Sequence, residues 1–226
     1  MRLHILVEGP AEEAFVNEWM PRFLPSQHLF KTIVHRGKGR LSEGPTTVPD
    51  PKRQGLLDQL PAKLKAYAKC LNSSTDRVLV LIDSDDEPCR TLKQRLVRCH
   101  RKHAPEVVAR FRIAIEETEA FYLGEPKAIK RAFPKAKLHK LSGYVQDSVC
   151  GTWELFRDII GYRTDMKDKP SWATEMGKHI TVDYEGRFNK SPSFRQLCRG
   201  ILQLCGELPK KTSSKNPTGE NRGRAK

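Results

Sequence analysis

The sequence is short of the features that would assign it quickly. Its six cysteines contain no CxxC pair and its seven histidines no HxH or HExxH spacing. The close ligand spacing of structural zinc sites and zinc proteases is therefore absent, and reduced, packed thiols are expected instead. Cys198 and Cys205, seven residues apart in a helical pattern, are expected to share a buried face. No apolar run approaches the roughly 20 residues that cross a bilayer. The strongest, Val78 to Ile82, is far shorter, and Glu8 breaks the apolar start MRLHILVEGP before it reads as an export signal. The expected setting is the cytoplasm, with no membrane partner. No internal repeat occurs, and aromatic residues make up only 8%.

Acidic residues are also in deficit, with 27 Asp and Glu against 41 Lys and Arg, a net charge of +14. Residues 209–226 hold six basic residues and one acid, so +9 remains on the rest of the chain. A surplus spread this widely predicts a polyanionic partner, nucleic acid, with DNA placed ahead of RNA. The alternative is a surface charged only for solubility.

What is present fits a globular chain of 226 residues, 38% hydrophobic and 30% charged. Arg2 to Val7 reads as an apolar strand, and Gly9-Pro10 then opens a helix. That helix carries Phe15, Val16, Trp19, Met20, Phe23 and Leu24 on its buried stripe, with Pro21 a potential kink. Ile33 to His35 suggests a short second strand. A turn-rich stretch follows from Arg36 to Pro51, then a helix from about Leu56 to Leu71. Arg77 to Ile82 has the unbroken apolar character of a central parallel strand. Thr91 to His103 is a basic helix, and Phe111, Ile113 and Ile115 alternate as a further strand. Alternation of this kind predicts an α/β core, a parallel sheet flanked by helices, over residues 1–125. Helical patterns at Pro126–Phe133, Trp153–Ile160, Trp172–His179 and Phe194–Cys205 predict a helical extension over 126–208, and residues 209–226 a disordered basic tail.

Acidic residues follow three of the strands: Glu8, then Asp83 with Asp85, then Glu116 to Glu119. Strand ends of an open parallel sheet converge on one crevice. Carboxylates gathered there repel by roughly 4 kcal/mol per pair at 4 Å and intermediate dielectric. A divalent cation relieves that repulsion, and all-oxygen ligands point to Mg²⁺ or Mn²⁺. Asp83 and Asp85 face one site if the strand continues through them. The alternative is that DSDDE complements the dipole of the next helix, the preferred reading for Asp86 and Glu87.

These residues carry a resemblance. Val7-Glu8-Gly9-Pro10-Ala11-Glu12-Glu13-Ala14-Phe15 and Val80-Leu81-Ile82-Asp83-Ser84-Asp85-Asp86 resemble the Toprim domain of primases, type II topoisomerases and OLD-family nucleases. With Ile115-Glu116-Glu117-Thr118-Glu119-Ala120-Phe121 and Ser191-Pro192-Ser193-Phe194-Arg195, the pattern is similar to the Toprim-like DUF4276 family over most of residues 1–205. The resemblance implies a Toprim-like (Rossmannoid) fold. It implies Glu8 as acid, base or metal ligand, Asp83 and Asp85 as Mg²⁺ ligands, and Glu12 and Glu119 as further metal ligands. Glu12 and Glu119 read alternatively as helix acids, and Glu116 and Glu117 are weaker candidates.

The expected activity is therefore metal-dependent hydrolysis of nucleic-acid phosphodiesters, with Glu8, Asp83 and Asp85 catalytic. Families resembling this one often accompany ATPases in antiviral defence, so an ATPase partner is implied. The alternative is a non-catalytic nucleic-acid-binding or regulatory subunit of such a complex. A receiver-like phosphoacceptor is disfavoured, because Gly9-Pro10 follows Glu8 where a second acid would stand. Expected substrate contacts are Lys38 and Arg40, in a glycine-rich loop that lacks P-loop spacing, and Arg95, Arg98 and Arg101 on the acid-free basic helix. A third basic group, Lys127 to Lys140, is a weaker candidate. One of Lys169, Lys178 and Arg195 is a candidate to reach a scissile phosphate. No tyrosine is marked as a nucleophile, and the three tryptophans read as core.

Overall fold

The computed structural model of the protein describes residues 1–41, 52, 54–161 and 166–208. The expected basic tail and much of the turn-rich stretch after Leu41 lie outside the described residues. Four apolar segments pair as strands: β1 (Arg2–Val7), β2 (Leu29–Val34), β3 (Asp76–Asp83) and β4 (Ala109–Ala114). They form one all-parallel sheet in the order β2-β1-β3-β4. From β1 the chain steps outward to β2, then returns past β1 to β3 and continues to β4. Right-handed crossovers turn that reversal into a change of face.

Accordingly α1 (Pro10–Phe23) covers one face, and α2 (Leu56–Cys70) and α3 (Cys89–His103) cover the other. Side chains alternate along β1 to match. Leu3, Ile5 and Val7 join Phe15 and Trp19 of α1, while Leu6 joins Leu57, Leu60 and Leu64 of α2. β3 does the same, with Leu79 and Leu81 on the first face and Val78, Val80 and Ile82 on the second. The architecture is the α/β, Rossmann-like sheet flanked by helices that the alternating pattern predicted.

The remaining helices are α4 (Glu119–Leu123), α5 (Pro126–Ala132), α6 (Thr152–Ile160), α7 (Lys169–His179) and α8 (Pro192–Cys205). All five add apolar side chains to the α1 layer. Trp19 sits at its centre, with the rings of Phe23 at 4.4 Å, Phe194 at 5.4 Å and Phe15 at 5.6 Å. Its indole N–H donates to the Thr181 carbonyl at 3.0 Å, so the buried polar end is satisfied. α7 crosses α1 at Gly177, where a Cβ would stand 2.7 Å from Glu18 Cβ and 2.9 Å from the Phe15 carbonyl oxygen. Trp172 is buried in the same layer, Trp153 is only partly buried, and all six cysteines are free.

Local differences from the sequence reading have physical reasons. β2 begins at Leu29 rather than Ile33, because an edge strand half open to solvent carries polar residues such as Lys31 and Thr32. α1 runs through Pro21, which lies in its last turn, to Phe23. β4 stops at Ala114, one residue short of Ile115.

Candidate active site

The reversal of strand order places β1 beside β3, and the crevice beyond their carboxyl ends is where open α/β sheets hold ligands. Glu8 leaves β1 there, and its Oε1 accepts the Asp83 backbone N–H at 2.6 Å. Asp83 Oδ1 accepts the Thr118 hydroxyl at 3.0 Å, which ties the end of β3 to the turn after β4. That turn supplies Glu117 and Glu119, and Lys169 at the start of α7 reaches into it. The ammonium stands 3.1 Å from Glu117 Oε2 and 3.7 Å from Glu119 Oε1, and 5.3 Å over the Trp153 ring. Glu12, a turn along α1, is buried and repels Glu8 and Asp83. Five carboxyl groups thus gather in one crevice, four of them facing Lys169 and Glu8 facing Lys38.

Their electrostatics follow from crowding out of water. Burial, then repulsion from Glu12, raises Glu8 from 4.5 to about 8. Burial, then Glu119, raises Glu117 to about 7. Asp83 is held well above its usual range by burial and by Glu12, Glu8 and Glu119, and burial also raises Glu12 and Glu119. Burial opposes the charge of Lys169, but Glu119 and Glu117 outweigh it and hold the ammonium above its usual range. A carboxyl raised in the folded state binds protons that the unfolded chain has released. Its favourable contribution is therefore complete below about 4.5 and disappears as pH rises through about 7 for Glu117 and about 8 for Glu8. Thermal melts of the metal-free protein should show Tm falling between pH 5 and 8, with a shallower fall in Glu8→Gln, which has one titrating group fewer. A pH-independent Tm would contradict that protonation scheme.

Asp85 occupies a different position. The strand does not continue through it: β3 ends at Asp83, and Asp85 takes a left-handed backbone, φ 48°. Its carboxylate pairs with Lys38 Nζ at 2.9 Å, and the same ammonium donates to the Ser84 carbonyl at 2.9 Å. Lys38 is delivered by a tight loop, in which Gly37 N–H donates to the Glu8 carbonyl at 2.8 Å. Gly39, at φ 68°, lies so close to Asp58 that a Cβ would overlap it. The glycine-rich loop is thus folded over the crevice, with Lys38 at its rim. The exposed Arg40 bonds Asp58 through its backbone N–H at 3.2 Å.

Glu116, which the sequence set beside Glu117, does other work. Although burial opposes its charge, backbone N–H groups of Cys150, Gly151 and Thr152 at 3.1, 2.8 and 2.9 Å hold it below the usual carboxylate range. It caps the start of α6. Arg95 pairs with Glu87 at 3.0 Å, while Arg98 and Arg101 are exposed along α3 beside a shallow depression of about 430 Å³. In the sequence Glu117 looks weaker than Glu119, and Lys169 is not set apart from Lys178 and Arg195. One sequence feature does mark Lys169: a lysine at the first position of a helix opposes the dipole unless acids face it.

Among the described residues no three His, Cys, Asp or Glu side chains are arranged so that they could hold a metal ion. The reason is visible in their partners: Glu8 is turned onto a backbone N–H, Asp83 onto a hydroxyl, Asp85 onto Lys38, and Glu117 and Glu119 onto Lys169. The donor set nevertheless fits a hard divalent cation, being all oxygen and carrying more carboxyl groups than the two lysines neutralise.

A family model described as "Domain of unknown function (DUF4276)" matches residues 7–202. The chain belongs to the DUF4276 family. The matched span of this DUF4276 chain begins one residue before Glu8 and includes Asp83, Glu119 and Lys169. No curated protein and no solved structure matches it.

Proposed function

We propose that the crevice takes up Mg²⁺ or Mn²⁺ and that the DUF4276 chain is a Toprim-like nuclease hydrolysing nucleic-acid phosphodiesters, with DNA ahead of RNA. The observation that carries this reading is the convergence of Glu8, Glu12, Asp83, Glu117 and Glu119, from three separate parts of the chain, at the switch point of a basic protein. Glu8, Glu12, Asp83 and Glu119 would hold the cation, with Asp85 at the rim after a side-chain rotation that frees it from Lys38. The cation would supply neutralisation of charge on the phosphodiester and activation of water.

The chain's own residues account for the rest. Without a cation the Glu8 carboxyl is raised to about 8, so uptake of the cation near neutral pH would displace a proton from it. Lys38 and Lys169 bring positive charge to the two sides of the crevice. Arg98 and Arg101 present basic side chains along α3, a helix without acids, for the strand backbone. Six free cysteines, and no helix among the described residues long and apolar enough to cross a membrane, suit the proposed cytoplasmic setting. The likeness to proteins accompanying ATPases supports an effector subunit governed by such a partner.

The engagement of Glu8, Asp83, Asp85, Glu117 and Glu119 by protein donors favours a second reading, in which Lys38 and Lys169 are the countercharges and the chain binds nucleic acid without cutting it. Purified full-length protein incubated with plasmid DNA and with RNA decides between them. Under the nuclease reading Mg²⁺ or Mn²⁺ yields cleavage that a chelator stops. Absence of cleavage with either ion, also after adding an ATPase encoded alongside, supports the binder. Both readings expect Arg98→Glu with Arg101→Glu to weaken DNA binding and to reduce the slope of log K against log salt by about 2, roughly one per lost phosphate contact. An unchanged slope removes α3 from the footprint.

A further inference from the structure

The second concentration of charge lies away from the acidic crevice, at the β4 edge of the sheet. A cavity of about 330 Å³ opens between α3, β4 and the start of α8, within the range of small-molecule sites. Phe111, Ile113, Ile115 and Pro192 give it apolar walls, and Ser193 and Gln196 add a hydroxyl and an amide. Lys93 from α3 and Arg112 from β4 meet there.

Two features set these cations apart from ordinary surface charges. Neither has an ion-pair partner among the described residues, and both donate to one acceptor, the Phe111 carbonyl of the open strand edge, Arg112 at 3.3 Å. Capping that edge needs a single donor, so the second charge is surplus. Arg112 Nε is buried with no hydrogen-bond partner. Room for this guanidinium is made by Gly200 inside α8, where a Cβ would lie 2.1 Å from Nε. A glycine in a helix interior is less stable than alanine, so the accommodation of Arg112 has a cost. Burial and neighbouring cations lower Lys93 to about 8 and Arg112 to about 10, the direction expected when an anion is missing. Asp147, also on the wall, is committed elsewhere: it accepts the Ser191 hydroxyl at 2.7 Å and the Ser193 N–H at 2.6 Å.

We propose that this cavity binds a small organic phosphate, a nucleoside monophosphate by its size and lining, with Lys93 and Arg112 on the phosphate and the base against the apolar walls. The site is independent of the proposed cleavage. A free nucleotide and the 5′-phosphate end of a strand present the same group to it.

Calorimetric titration of the full chain with AMP, adenosine, and an oligonucleotide with and without a 5′-phosphate tests the proposal. AMP, the 5′-phosphorylated strand, or both should bind about tenfold or more tightly than the form lacking phosphate, and Lys93→Gln should remove that advantage. An advantage seen with AMP assigns the free nucleotide, and one confined to the oligonucleotide assigns the strand end. Arg112→Gln should act alike. If that variant fails to fold, Lys93→Gln decides alone, its melting temperature showing that the fold is intact. No preference for phosphate in either pair, or a preference that survives Lys93→Gln in the folded protein, overturns the proposal.

Discussion

Asp83→Asn should lower the proposed Mg²⁺- or Mn²⁺-dependent cleavage by about 10³-fold while leaving the fold intact or slightly firmer, the size expected when one strongly placed electrostatic group is lost. Asp83 terminates β3 in the middle of the acid cluster, facing the repulsion of Glu8, Glu12 and Glu119. Asparagine has nearly the same shape and still accepts the Thr118 hydroxyl, so only the charge is removed. Since burial and neighbouring acids disfavour that charge in the folded protein, its loss should not reduce Tm. Activity down with Tm held or raised is the expected pair of readings. Cleavage that persists at the level of the unaltered chain would place the chemistry elsewhere, and a collapse of Tm would show that the carboxylate is needed for folding.

Gly177→Val is expected to have the largest effect on stability, about 3 kcal/mol, the upper end of overpacking costs. For a chain of this size that corresponds to a fall in Tm of roughly 10 °C. Any Cβ at this position enters the space of Glu18 Cβ and the Phe15 carbonyl, and backbone on both sides has little freedom to yield. Valine adds two further methyl groups at the same crossing. Relief requires α7 to lift from α1, and these helices carry Lys169 and Glu12 respectively. Gly177→Ala should be milder. A melting temperature unchanged in Gly177→Val would mean that the α1–α7 crossing is looser than its geometry indicates.

Much of this arrangement can be read directly from the chain. The run Val78–Ile82 announces a doubly covered strand because both of its faces are apolar, and Gly9-Pro10 announces the helix that follows β1. Glu8 and Asp83 are visible as acids at strand ends, and parallel topology explains why they meet. Lys169 is far harder to see. Its partners Glu117 and Glu119 lie in a distant part of the chain, and only the docking of α7 on α1 brings them together. Asp85 illustrates a different limit. Two residues beyond Asp83 it would share a face in an extended strand, but its left-handed backbone turns it toward Lys38, and no periodicity encodes that rotation. Glu116 and Glu117 are adjacent identical residues with opposite duties, one capping α6 and the other facing Lys169, because Glu116 also takes a left-handed backbone, φ 61°.

The loops after β3 and β4 are laced to each other. Ser84 N–H donates to the Ala114 carbonyl at 2.9 Å, Ser84 Oγ accepts Glu116 N–H at 2.7 Å, and Asp85 N–H donates to the Glu116 carbonyl at 2.9 Å. Acids from two strands consequently ride on one stiff platform. The conformational entropy of assembling them is lost when the chain folds and not when a guest arrives, so a ligand meets a surface organised beforehand.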